Sequence, residues 1–437
     1  MRNRVTRRRY LLGTVGVGTT LLAGCSGDDS SDDGDSGDED PGDENPGDGD
    51  IGEDAFGGPG ADSSGMESGG SPMFHYDAAN TGSTTVESGP TAGVSERWSV
   101  DATGNTGTSV TTSPAVVDGT VYVGAEDGRV RAISTAGGDV EWSVDIGPTI
   151  SNSPAVVDGT VYVGSAVGTL YALDTADGSE QWTFDYHDSP SVPTMFSPAV
   201  VDGVVYVSYS ASGNSRIVAL DATDGSETWG NGLGTELSSA PAVANGMVYV
   251  GGEDYHLHAL NATDGEEEWT FETTARVATP AVRGDTVYVP EDTTQAGDDE
   301  EYMANEYGRL YAVGASDGGD RWQFEANGAI TSAPAVTEDS VYLASVDQSV
   351  YQLARSDGAE QWTFETEDQI LSSPIVTTDT VYVGSDDSNL YALTTSDGSE
   401  RWTFETDDSV WSTPTAVGGV VYVGSNDGFV YALEENG

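Results

Sequence analysis

An all-β chain built as an eight-bladed β-propeller of four-stranded antiparallel blades is the fold that three features of the sequence predict. A phrase of the type Ser153-Pro154-Ala155-Val156-Val157-Asp158-Gly159-Thr160-Val161-Tyr162-Val163-Gly164 occurs eight times. Its period is 40 residues where nothing is inserted, as from Pro114 to Pro154 or from Pro334 through Pro374 to Pro414. Each copy reads as four short strands, and a sheet that small cannot bury both faces unless copies stack around an axis.

In chain order, residues 1–24 read as an address. Thr6-Arg7-Arg8-Arg9-Tyr10-Leu11 resembles the twin-arginine export signal, with Arg7 and Arg8 as the paired arginines. The mildly apolar stretch that follows, Leu11 to Ala23, is shorter than the about 20 residues a helix needs to span a bilayer. Leu22-Ala23-Gly24-Cys25 resembles a lipobox, which implies a lipid on Cys25 and attachment to the membrane on its extracytoplasmic side. Cys25 is the only cysteine, so disulfides and cysteine–zinc sites are excluded.

Residues 25–70 are expected to be the lipidated cysteine and an acidic tether. From 26 on the segment is Gly, Asp, Ser, Glu and Pro with almost nothing apolar, and it cannot bury enough surface to offset its ordering entropy. As a Gly-rich coil it would span roughly 35–40 Å. Residues 71–93 read as an irregular lead-in, and 94–437 as the propeller.

Charge excludes one class of partner. The chain has 74 Asp+Glu, 15 Lys+Arg and a net charge of −59, and every basic residue is Arg. Nucleic acid would be repelled. The excess persists from residue 71 on, where 58 acidic residues face 10 arginines. A carboxylate-rich chain without lysine resembles proteins of extreme halophiles, whose self-repulsion is screened in brine.

Within each copy, Ala-Val-Val leads into Asp-Gly, the two-residue signal of a tight hairpin with positive φ. Val-Tyr-Val-Gly alternates as a second strand. Leu-Tyr-Ala-Leu is the third, closed by another Asp-Gly turn, and Glu-Gln-Trp-Thr-Phe is the fourth. The proline sits at a strand start, where its missing N–H breaks no ladder. The fourth-strand tryptophans Trp142, Trp182, Trp229, Trp269, Trp322, Trp362 and Trp402 are expected to wedge one blade against the next. The eighth copy stops at Tyr431-Ala432-Leu433 without its tryptophan strand, while Trp98 in Glu96-Arg97-Trp98-Ser99-Val100 precedes the first copy. The orphan strand fits the vacancy, so the Trp98 strand is expected to complete the last blade and close the ring.

The pattern Ala-x-Asp-x-x-x-Gly-x-x-x-Trp, intact at Ala172–Trp182 and Ala219–Trp229, resembles the tryptophan-docking motif of the quinoprotein-dehydrogenase-like (PQQ-repeat) propellers. Within that superfamily the chain is most similar to the BamB-type lipoproteins, from residue 94 to the end. Asn261, Ser134, Gly314, Ala354 and Thr394 replace the motif Asp and are expected to weaken only local turn bonds. The resemblance implies a protein-interaction scaffold with envelope proteins as partners, and the chain itself is expected to be a monomer. The alternative is a receptor for a small ligand in the central channel or on one face. Quinone-dependent dehydrogenases of the superfamily carry an adjacent cysteine pair, a calcium ion held by Glu and Asn/Asp, and an Asp base. This chain has no Cys-Cys, so the expectation is no enzyme, no catalytic residue and no cofactor.

Other candidates follow from position. His256 and His258 share a strand face, which suits either a metal pair or packing, since His258 aligns with Tyr171 and Tyr391; no metal site is assigned. Asn261-Ala262-Thr263 is a glycosylation sequon. Two departures from the 40-residue beat are candidate partner-binding loops, one with Tyr186, Met195 and Phe196, the other with Tyr302, Met303 and Tyr307. Trp411, outside the wedge set, faces the channel or packs.

Overall fold

Alternating β-branched and aromatic residues between Asp-Gly turns give eight sheets of short antiparallel strands. The computed structural model of the chain describes residues 70–437 apart from 72, 86, 105, 187–192, 214 and 295–306. Arg7, Arg8, Cys25, Tyr302 and Met303 therefore lie outside the described residues. Blade 2 shows the pattern, with strands Ala155–Val157, Thr160–Gly164, Thr169–Asp174 and Glu180–Asp185 paired in sequence order. Its first turn holds Asp158 at φ 49° and Gly159 at φ 78°, the positive pair that a two-residue hairpin of matching twist demands. The second strand is wholly buried, whereas the fourth buries its tryptophan and leaves its polar residues outside. Turns between strands 1 and 2 and between 3 and 4 lie on one face of the propeller. Connections from 2 to 3 and from 4 to the next blade lie on the other.

Two blades exceed four strands. Thr194–Met195 adds to Tyr209 and Ser210 in blade 3, and Arg276–Val277 adds to Glu291 and Asp292 in blade 5. In both, the second strand runs two residues longer, to Ser210 and Asp292, and so offers an extra ladder position.

The ring closes as counting strands predicted. Val94–Asp101 is the fourth strand of blade 8, antiparallel to Phe429–Glu435, with Val94 opposite Glu435 and Trp98 opposite Ala432. Trp98 also meets Tyr422 of the second strand at 5.8 Å between ring centroids. Every blade repeats that Tyr–Trp pair, from 5.7 Å for Tyr382–Trp402 to 6.0 Å for Tyr206–Trp229 and Tyr342–Trp362.

Each indole then reaches into the following blade. Trp142 Nε1 donates to the Thr175 carbonyl at 2.8 Å, Trp182 to Ala222 at 2.9 Å, Trp229 to Ala262 at 3.0 Å, Trp322 to Arg355 at 3.0 Å and Trp362 to Thr395 at 3.0 Å. Trp98 crosses the closure in the same way, onto Thr135 of blade 1 at 3.0 Å. The acceptor belongs to the strand 3–4 turn, whose glycine lies against the ring. At Gly178, with φ +73°, a Cβ would stand 2.8 Å from Trp142, so no side chain fits. Replacing the motif Asp leaves this turn closed by backbone, as in the 2.9 Å bonds Gly138 N to Ser134 O and Gly358 N to Ala354 O. Only the side-chain bond of the Ala176 N to Asp174 Oδ1 type is lost at those two positions, whereas Asn261 keeps it by accepting from Thr263 N at 2.9 Å.

Two positions depart from the rule. Blade 8 has no 3–4 turn, because its third and fourth strands come from opposite ends of the chain. The Pro90 carbonyl substitutes, accepting Trp402 Nε1 at 2.9 Å and the Tyr382 hydroxyl at 3.0 Å. Between blades 4 and 5 the equivalent acceptor, Ala315 O of blade 5, takes the Tyr249 hydroxyl at 2.9 Å, and Trp269 Nε1 is buried with no partner. A Trp182→Phe exchange removes a made hydrogen bond and is expected to cost about 1 kcal/mol. Trp269→Phe removes an orphaned donor and is expected to cost less or to stabilise; denaturant midpoints of the two variants check the order, and equal losses contradict it.

Candidate functional site

The innermost strand of a blade is an edge whose outer N–H and C=O groups face the central channel, where burial leaves them costly unless paired. The lead-in supplies the partners. Ser71 exchanges two backbone bonds with Val116 of blade 1, at 2.7 and 2.8 Å. Ala78 O accepts from Val243 N of blade 4 at 2.6 Å, Ala79 O from Val282 N of blade 5 at 2.8 Å, and Thr81 O from Val336 N of blade 6 at 2.7 Å. In blade 7, Gly82 O accepts from Val376 N at 2.8 Å and Thr84 N donates back at 2.9 Å. The Tyr76 hydroxyl serves blade 8, accepting from Ala416 N at 3.0 Å. Asn80 Nδ2 bridges blades 4 and 5 through the Pro241 and Pro280 carbonyls, both at 3.2 Å.

Residues read as an irregular lead-in thus cross the channel and tie six inner strands. The sequence held one signal of this. Between the tether and residue 93 only Asp77 and Glu87 are acidic, in a chain otherwise crowded with carboxylates. Both are engaged: Asp77 accepts from Ala79 N, Thr81 N and the Thr81 hydroxyl, and Glu87 from Gly418 N at 2.9 Å. A through-channel ligand site, one form of the receptor reading, is therefore not what the structure offers. The face of the 1–2 and 3–4 turns carries a bowl of about 390 Å³, with lead-in residues among its lining.

His75 is enclosed in this plug. Its Nδ1 lies 3.1 Å from Asn80 O, and Nε2 is buried without a partner. Burial disfavours the imidazolium and lowers the pKa from 6.5 to about 4, against a small opposing effect of the Asn80 carbonyl.

The opposite face carries the exposed hydrophobics. Val167, Tyr255, Tyr307, Trp411 and Phe429 all lie on 2–3 or 4–1 connections or at the strand ends beside them, and are 36–48% exposed. Among the described residues only Val140, at the start of a fourth strand, is a large exposed hydrophobic elsewhere. Trp411 is 42% exposed, and its indole N–H donates to Asp386, which Gln369 Nε2 also holds at 2.6 Å.

The loop expectation needs correction. Tyr186 and Met195 are buried, at 6% and 4% exposure, and offer no docking surface. Tyr186 stacks on Tyr209 at 5.0 Å, and Met195 joins the added strand, filling the space over Gly164 where a Cβ would meet its sulfur. Folding the connection back onto blade 3 buries both apolar side chains, which is more favourable than leaving them in water. Phe196 is half-buried with its N–H on Ser208 O, and Tyr307 is exposed at 44%.

His258 takes up a repeated role. An Asp four residues earlier holds the strand-3 side chain in Asp127–Arg131, Asp347–Tyr351, Asp387–Tyr391 and Asp427–Tyr431. Asp254 and His258 are the same pair, with His258 Nε2 at 3.3 Å from Asp254 and Nδ1 at 2.6 Å from Glu267. His256 bonds the Asp254 carbonyl at 2.8 Å, and no cluster of three metal-ligating side chains occurs among the described residues. Asn261 caps its own turn, Oδ1 accepting from Thr263 N at 2.9 Å.

Comparison with known proteins agrees with this geometry. The family model described as outer membrane protein assembly factor BamB matches residues 89–210, 196–298, 293–375 and 350–437. The outer membrane protein assembly factor BamB of Salmonella typhimurium is 37% identical over 73 residues, 14% of this chain. That match spans only 19% of the relative's length. Among solved structures, BamB from Moraxella catarrhalis has a TM-score of 0.61 at 19% identity, covering 78% of this chain and 99% of that one. Quinohemoprotein alcohol dehydrogenase from Comamonas testosteroni has 0.64 at 16% identity, covering 83% and 80%. The computationally designed Ika8 protein has 0.66 at 17% identity, covering 77% and 98%. These structural likenesses are of fold alone.

The buried imidazole sets a pH dependence. The unfolded chain takes up a proton near 6.5 and the folded one only near 4, so stability is full above pH 6.5 and falls as pH drops between those values. At most about 3 kcal/mol is lost this way. Melting temperature followed from pH 7 to 5 is expected to fall less steeply in His75→Gln than in the unaltered protein, and parallel curves contradict the assignment.

Proposed function

We propose, for a chain that belongs to the family of the outer membrane protein assembly factor BamB, that it is a scaffold on which other envelope proteins dock. The observation that carries this reading is the gathering of Val167, Tyr255, Tyr307, Trp411 and Phe429 on one face. Exposed aromatics are the side chains that protein interfaces favour, since they bury much area at low cost in side-chain entropy. The connections that begin at Tyr186 and Thr294 leave from the same face, which suits a surface that varies over a constant ring.

In this reading Arg7 and Arg8 direct export, Cys25 carries the lipid, and residues 26–70 hold the propeller away from the membrane on its extracytoplasmic side. The chain works as a monomer and no enzymatic step or cofactor is assigned to it. The partner is met in brine, where surface charge is screened within about 3 Å. Apolar contact then carries more of the affinity than charge does.

Affinity capture from membranes in molar salt, with the lipid anchor intact, tests the reading. Combined Trp411→Ala and Phe429→Ala exchange is expected to lower partner recovery at least tenfold, while Val140→Ala on the other side leaves it unchanged. Cys25→Ser is expected to release the protein from membranes. Equal recovery by all variants contradicts the docking face, and membrane attachment of the Cys25→Ser protein contradicts the anchor.

A further inference from the structure

Residues 71–437 contain ten arginines among 58 carboxylates, and eight of the ten make an ion pair within 4.0 Å. Arg97, Arg129, Arg131, Arg216, Arg276, Arg309, Arg321 and Arg401 are the paired ones. Among the described residues, Arg283 and Arg355 are the two with no carboxylate within 4.0 Å, and both line the same bowl at the mouth of the channel. In so acidic a chain an unmatched guanidinium is the exception, and two exceptions in one concavity point to a counter-charge that comes from outside.

The local structure holds both groups in place. Arg283 Nη1 reaches Ser83 Oγ and Val336 O, each at 3.3 Å. Arg355 is fixed by Nε on the Tyr288 hydroxyl at 3.0 Å and Nη1 on Glu338 O at 2.8 Å. Its Nη2 lies 3.3 Å from where a Cβ of Gly284 would stand, so the bare glycine next to Arg283 leaves room for it. Two planar, permanently charged forks anchored over one turn, each with N–H groups left over, suit an oxyanion.

Two carboxylates also line the bowl and neither makes an ion pair with the two arginines, although, against the burial that pushes the Asp77 pKa up, the Arg283 charge favours its carboxylate. Asp77 spends its oxygens on Ala79 N, Thr81 N and the Thr81 hydroxyl, and Glu338 is exposed at the rim. The bowl's volume, about 390 Å³, falls in the range of small-molecule sites.

We propose that this bowl is a binding site for a small oxyanion, a carboxylate or a phosphate, held by Arg283 and Arg355. The site lies on the opposite side of the ring from the exposed aromatic face, so a ligand and a docked protein can be held together.

Isothermal titration calorimetry at fixed ionic strength in chloride, with inorganic phosphate in one arm and malonate in the other, tests this and tells the two chemistries apart. Saturable binding of at least one probe is expected, weakened tenfold or more in Arg283→Gln and in Arg355→Gln. Arg216→Gln, which removes a paired arginine on the far side, is expected to bind as the unaltered protein does. Should Arg355→Gln fail to fold through loss of its Tyr288 and Glu338 contacts, Arg283→Gln decides. No saturable heat with either probe, or equal affinity in the Arg283→Gln protein, overturns the site.

Discussion

Docking of a tryptophan of one blade onto a glycine turn of the next is the interaction on which the rest of the molecule depends. A four-stranded sheet of about 40 residues has two apolar faces and cannot cover both alone. Each indole covers one of them, and all but Trp269 also satisfy their N–H on a carbonyl across the boundary, so burial and hydrogen bonding fix the same spacing between blades. Because the ring is closed, each boundary is tied to the next, and Trp98 on Thr135 joins the end of the circuit to its beginning. Pro90 shows how firm the requirement is. Where the blade lacks its turn, a segment from elsewhere in the chain provides the acceptor.

Closing the outer boundaries leaves the inner edges to be dealt with. Eight inner strands converge on the axis with half their backbone groups turned toward it. Residues 71–84 take up those groups in six blades, with Tyr76, Asn80 and backbone carbonyls acting as the spokes. The plug divides the propeller by role: outer strands carry the charge that suits brine, the axis is crossed by chain whose one carboxylate, Asp77, is held by its own turn, and the two faces are left for recognition. One face presents aromatics and the other a bowl with two unmatched arginines.

Blade count, strand order and closure were legible because they follow from local rules that repeat. Asp-Gly with positive φ fixes each hairpin, period-2 alternation fixes which side chains turn inward, and a missing tryptophan strand at one end matches a spare one at the other. The lead-in was not legible, since it pairs through backbone carbonyls and isolated side chains, and no periodicity marks such bonds. Tyr186 and Met195 misled for a related reason. Apolar residues in an irregular connection read the same whether they face solvent or fold back, and only the two-residue extension of the neighbouring strand to Ser210 decides. His258 was placed correctly by alignment with tyrosines, but the carboxylates at both ring nitrogens come from a turn and a neighbouring strand. The unmatched arginines could not be seen in sequence at all, because pairing is a property of the assembled ring.

Closure by the N-terminal strand is most directly tested by equilibrium unfolding in molar salt of the protein lacking residues 94–101. If the Trp98 strand is the clasp, its removal strips the eighth blade of its outer strand and parts two boundaries. Unfolding should then begin at a markedly lower denaturant concentration and lose its single sharp transition. A midpoint and cooperativity equal to those of the intact chain would show that the ring does not need its clasp.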